Sequence, residues 1–129
     1  MRSDWQQAAE TGAAARLEEL LEAGVEVDAL DRYGQTALML AARNGHGDAV
    51  RVLLDAGAEL DHTAKYSLSA LMLAVIHDRP DVVEPLVEAG ADLAIEGTGA
   101  PGFAGKTALE IALDLGRDEI AELIRARAP

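Results

Sequence analysis

Apolar and polar positions along this chain come in a paired pattern. Leu38, Leu40, Ala41 and Ala42 form an apolar stripe that predicts a short helix. Thr36, just before it, can cap the first backbone N–H groups. Gly45 ends that helix, because glycine tolerates the positive φ of a helix stop. A second stripe follows, with Val50, Leu53 and Leu54 inward and Asp48, Arg51 and Asp55 outward. It predicts an amphipathic second helix that Gly57 ends, and a short hairpin-like connection leads onward.

The pattern recurs at a step of 33 residues. Ala8-Ala9-Glu10-Thr11-Gly12 aligns with Ala41-Ala42-Arg43-Asn44-Gly45, and Leu38-Met39-Leu40-Ala41 with Leu71-Met72-Leu73-Ala74. Asp55-Ala56-Gly57-Ala58 returns as Glu88-Ala89-Gly90-Ala91. A fourth copy, Gly105-Lys106-Thr107-Ala108-Leu109, matches Gly34-Gln35-Thr36-Ala37-Leu38 but arrives five residues late. The Gly-rich stretch Gly97-Thr98-Gly99-Ala100-Pro101-Gly102 absorbs the slip as a loop insertion. Ser69 and Thr107 stand where Thr36 does and predict the same cap. The expected organisation is one all-α repeat domain over 1–129, with units near 1–30, 31–63, 64–96 and 102–129 and the insertion near 97–101. The first unit, opening at Trp5, and the polar end of the last unit read as capping units. Trp5 itself reads as a plug for the N-terminal core.

Composition narrows the chemistry. The 129 residues are 50% hydrophobic but only 3% aromatic, so the core must be Ala, Leu, Val and Ile in closely packed helices. A formal charge of −12 disfavours a phosphate-tracking protein, since nucleic-acid binding needs a basic footprint. Without cysteine there are no disulfides, thiolate metal sites or thiol chemistry. No apolar run approaches the roughly 18–20 residues that span a bilayer. Residues Met1 to Gln7 are too polar for a secretory h-region. The chain reads as a soluble, acidic, cytoplasmic monomer.

Two nucleotide-binding spellings occur. Gly97 to Gly102 reads G-x-G-x-x-G, and Ala100 to Thr107 reads as a relaxed phosphate loop. Both need a strand-to-helix turn in a βαβ setting, which the helical repeat does not offer, and repeat phase already explains Gly105-Lys106-Thr107 as turn and cap. His46, His62 and His77 fall in different units without a metal-ligand spacing. The acids crowd the second helices, as a solvated outer face does. No cofactor, metal or catalytic group is expected.

The stretch Asp31-Arg32-Tyr33-Gly34-Gln35-Thr36-Ala37-Leu38-Met39-Leu40-Ala41-Ala42-Arg43-Asn44-Gly45-His46 resembles the ankyrin-repeat pattern D-x-x-G-x-T-P-L-H-x-A-A-x-x-G-H. The family's proline is Ala37, Ala70 and Ala108 here, and its histidine is Met39, Met72 and Glu110. The third copy departs most, with Ser67 for the turn glycine, Asp78 for the helix-ending glycine and Pro85 inside the second helix. Pro85 should kink or weaken that helix, which makes this unit the least stable.

The resemblance implies a concave surface of first helices and hairpin tips that binds a partner protein. Its positions here are Arg32, Tyr33, Gln35, Arg43 and Asn44, then Lys65, Tyr66, Leu68, Ile76 and His77, then Phe103, Lys106 and Asp114. Both tyrosines, the sole phenylalanine and both lysines fall on this side. The expected function is a non-catalytic protein–protein interaction module. The alternative is a stable scaffold or regulatory repeat domain without a dedicated partner.

Overall fold

Three hydroxyls start three of the helices. In the computed structural model, which describes residues 1–99 and 102–128, Thr36, Ser69 and Thr107 accept hydrogen bonds from the backbone N–H groups of Met39, Met72 and Glu110, at 3.2, 3.3 and 3.3 Å. Each satisfies a donor that the helix leaves without an internal partner. Glu110 also reaches back to the Thr107 N–H at 3.0 Å, closing a reciprocal capping box. The residue that departs from the family histidine thus has a local structural use.

Eight α-helices follow among the described residues: α1 (Ser3–Thr11), α2 (Ala14–Glu22), α3 (Ala37–Arg43), α4 (Gly47–Asp55), α5 (Ala70–Ile76), α6 (Pro80–Glu88), α7 (Ala108–Asp114) and α8 (Asp118–Arg125). Odd and even helices pair as α1/α2, α3/α4, α5/α6 and α7/α8, and each packs on its counterpart in the next pair. The only strand-like pairing among the described residues is a single bridge between Gly97 and Ala104. Ala100 and Pro101 of the insertion, and so part of both nucleotide-loop spellings, lie outside the described residues, as does Pro129.

Short, alanine-rich first helices allow close stacking. Every residue from Ala37 to Ala42 is buried, so α3 has core on almost all sides. The second helices bury one stripe, Ala49, Val50 and Leu53 in α4 and Ile120, Ala121 and Ile124 in α8, and turn acids outward. Trp5 is fully buried in the first pair, as a plug should be. Its indole N–H has no hydrogen-bond partner among the described residues, which offsets part of the gain from burying the ring.

Side chains that follow the first helices tie neighbouring pairs together. His46 Nε2 donates to the Glu10 carbonyl at 2.8 Å, and Arg79 Nε to the Arg43 carbonyl at 3.2 Å. Arg117 donates from Nη2 to Ile76 at 3.0 Å and from Nε to Val75 at 3.4 Å. Glu10, Arg43 and Ile76 are one repeat apart, so the same C-terminal carbonyl is served each time, and the arginines place positive charge at the negative helix end. In the first two copies glycine lies beneath the reaching side chain, whereas Arg117 makes the same reach beside Asp78. A Cβ on Gly12 would lie 2.5 Å from the His46 ring, and one on Gly45 2.8 Å from Arg79 Cδ.

The third pair carries the backbone strain. Asp78 (φ 58°) takes the left-handed conformation held by glycine at Gly12, Gly45 and Gly116. Ser67 (φ 56°) does so where Gly34 and Gly105 stand, and Tyr66 beside it has φ 64°. Each such non-glycine residue costs about 1–2 kcal/mol. Pro85 is buried within α6, which runs on through it, so the helix loses a ladder hydrogen bond to Asp81 without ending there.

Candidate functional site

Arg32 and Tyr33 stand at the hairpin before α3, and Lys65 and Tyr66 stand one repeat later in a short 3-10 turn (Lys65–Ser67) before α5. Each pair stacks. The Arg32 guanidinium lies 5.0 Å from the Tyr33 ring centre and the Lys65 ammonium 4.9 Å from that of Tyr66. Asp31 sets the first hairpin by accepting N–H bonds from Tyr33 and Gln35 at 2.8 and 2.9 Å. In the second, Ala64 replaces that aspartate and the later loop supplies the support: the Thr98 N–H donates to the Tyr66 carbonyl at 2.8 Å, and Thr98 Oγ1 meets Ser67 Oγ at 3.2 Å.

Between the two hairpins lies a cavity of about 410 Å³. Tyr33, Gln35, Arg43, Lys65, Tyr66 and Leu68, all expected on the concave side, line it together. Tyr33 is 63% and Tyr66 39% exposed, so both rings are open to a ligand. Met39, Ala64 and Leu73 complete the lining. The apolar stripe includes Leu40, the counterpart of Leu73, but not Met39, and only the absence of the family histidine at Met39 hints that this wall is apolar. The volume falls in the range of ordinary ligand pockets.

The other expected positions lie elsewhere or are engaged. Leu68, already named in the cavity wall, is only 8% exposed and packs largely in the core beside the buried cap Ser69. Phe103 is half-buried against the core, not a projecting anchor. Lys106 is ion-paired with Asp114, another of the expected positions, so its charge is already met. Asn44 donates to the Glu10 carbonyl at 3.4 Å and serves the stack. Ile76 packs partly against the core and lends its carbonyl to Arg117. His77 is exposed at the end of α5. Partial burial, then the charges of Arg43, Arg79 and Arg117, push its imidazole below its ordinary value. His62 is bound at Nε2 to the Gly34 carbonyl at 2.9 Å, a link between the two hairpins.

This geometry is built on the 33-residue repeat, and the family model for ankyrin repeats matches residues 5–97 in three copies. The chain belongs to the ankyrin-repeat family. No curated protein matches it closely enough to count as a relative. Ankyrin repeats are generally protein–protein interaction modules and typically non-catalytic. The cavity lies wholly within the matched ankyrin segment, whereas α7 and α8 follow it. No helix among the described residues is long and apolar enough to cross a membrane.

Proposed function

We propose that this ankyrin-repeat protein docks a partner protein on its concave face, centred on the cavity between the hairpins of Tyr33 and Tyr66. One observation carries the reading: two exposed tyrosines at the same repeat position frame one mainly apolar hollow. Aromatic side chains are what binding surfaces concentrate, and a rigid stack holds them without ordering cost. The role is recognition, without a bond-making step or a cofactor, by a monomer of four units with the insertion near 97–101. The compartment proposed for it is the cytoplasm.

A photo-crosslinking amino acid at position 33 or 66, compared with position 18 or 22 on the outer acidic helix α2, tests this in lysate of the source cells. A discrete adduct is expected from 33 and 66 alone. Adducts from 18 and 22 alone would move the working surface to the outer face, and no adduct from any position would favour a scaffold without a dedicated partner.

A further inference from the structure

The concave face carries an unbalanced charge that docking by itself does not require. The chain has 23 acids against 11 lysines and arginines, so a basic side chain rarely lacks a carboxylate neighbour. Seven of the 11 lie within 4.0 Å of one. Among the described residues the four that do not are Arg32, Arg43, Lys65 and Arg79. Arg32 and Lys65 are the stacked partners of the two tyrosines. Arg43 lines the cavity, and Arg79 spends only its Nε on the Arg43 carbonyl. Three of these four unmet cations, Arg32, Arg43 and Lys65, line the hollow or stack on its tyrosines, whereas Arg79 packs over Gly45.

Stacking on tyrosine holds a cation above the ring and leaves its outer N–H groups free for an anion. The hollow below offers Met39, Leu73 and the two rings, a surface for an apolar side chain. At physiological ionic strength charges are felt over about 8 Å, so a short segment seated here responds to this patch rather than to the whole molecule. A long polyanion such as a nucleic acid would instead extend over the acidic surroundings and be repelled.

We infer that the occupant is an acidic segment of the partner protein that sets carboxylates on Arg32, Arg43 and Lys65 and one apolar side chain between Tyr33 and Tyr66. This rests on the docking reading and adds the partner's chemistry to it. The guanidinium groups suit paired N–H···O contacts with carboxylates, and the unmet charges give the encounter a salt-sensitive on-rate.

Selection of a displayed random-peptide library on the full chain tests the inference, with a single-stranded oligonucleotide as competitor. Asp and Glu should be enriched over the starting library, flanking one apolar residue. The selected peptide should weaken about tenfold or more with the R32Q/R43Q/K65Q variant, by loss of more than one charged contact. It should weaken also with Y33A/Y66A and with added salt. Basic or uncharged winners that remain sensitive to Y33A/Y66A would overturn the acidic occupant and leave groove docking standing. Acidic peptides indifferent to both variants would overturn both. No enrichment, or an oligonucleotide that displaces the peptide through the same three cations, would also overturn the inference.

Discussion

The backbone N–H of Thr98 donates to the carbonyl of Tyr66 at 2.8 Å, which ties the inserted loop to the ring that walls the cavity. Tyr66 and Ser67 both occupy left-handed backbone space, where neither residue is favoured. Strain of this kind persists only where the surroundings impose it. Gly99 completes the strap: a Cβ built there would touch the Tyr66 ring at 3.4 Å. The insertion therefore acts on the site and does not merely lengthen a loop.

Thr98→Pro removes the donor, so it should destabilise the fold by about 1 kcal/mol and broaden or shift the Tyr66 ring signals in NMR spectra. Denaturant unfolding checks the first effect. Unchanged stability together with unchanged Tyr66 signals would show that the strap holds nothing.

Relief of strain in the third pair should stabilise the protein. Asp78→Gly restores the residue found at Gly12, Gly45 and Gly116 and loses only a 3.9 Å ion pair with Arg117 on a half-exposed carboxylate. A gain of roughly 0.5–1 kcal/mol is expected. Pro85→Val, matching Val52 in α4, restores a ladder hydrogen bond and should add ~1 kcal/mol or more. Amide exchange in α5 and α6 should slow in both variants. Faster exchange would mean that the strain is compensated by contacts that the variants break.

Arg117 joins the last pair to the third through two carbonyls of α5, whereas Arg125 only meets Glu122 on the exposed face of its own helix. Arg117→Met should therefore cost about 1–2 kcal/mol and speed exchange in α7 and α8 first. Arg125→Met should stay within about 0.5 kcal/mol. Equal effects in thermal unfolding would contradict the ladder as a source of coupling between pairs.

His77 gives the stack a pH dependence with a definite sign. Burial and the three nearby arginines lower its folded-state value below the ordinary 6.5. Below about pH 6.5 the unfolded chain takes up a proton that the folded one refuses, so stability falls as the pH drops from there through the lower folded value. Above pH 6.5 both states are neutral and the term vanishes. His77→Gln should flatten the urea midpoint between pH 7.5 and pH 5 relative to wild type, and an equally steep decline in the variant would assign the effect to other groups.

Much of this was legible in the sequence because repetition multiplies weak signals. One threonine before an apolar run is a modest cap signal, whereas Thr36, Ser69 and Thr107 in phase mark helix starts, and Gly45 with its aligned Gly12 marks helix ends. Of the positions expected on the concave side, six meet at one cavity. What was hidden depends on contacts across many residues. Ser67 stands out as a departure, but its partner Thr98 is 31 residues away in a loop outside the repeat pattern. Lys106 and Asp114 were both expected on the concave side, and nothing in their spacing reveals that they neutralise each other. Leu68 lines the cavity as well, but its depth was hidden, since the cap that follows draws it largely into the core.

The central claim is that the Tyr33–Tyr66 hollow is the working surface, and the dissociation constant of the crosslinked partner tests it most directly. With Y33A/Y66A the affinity should fall about tenfold or more, chiefly through faster dissociation, since buried aromatic anchors typically contribute ~2 kcal/mol or more. With E18A/E22A on α2 it should stay at the wild-type value. Wild-type affinity in the tyrosine variant, with loss on neutralising the outer acids, would contradict the account and place recognition on the convex face.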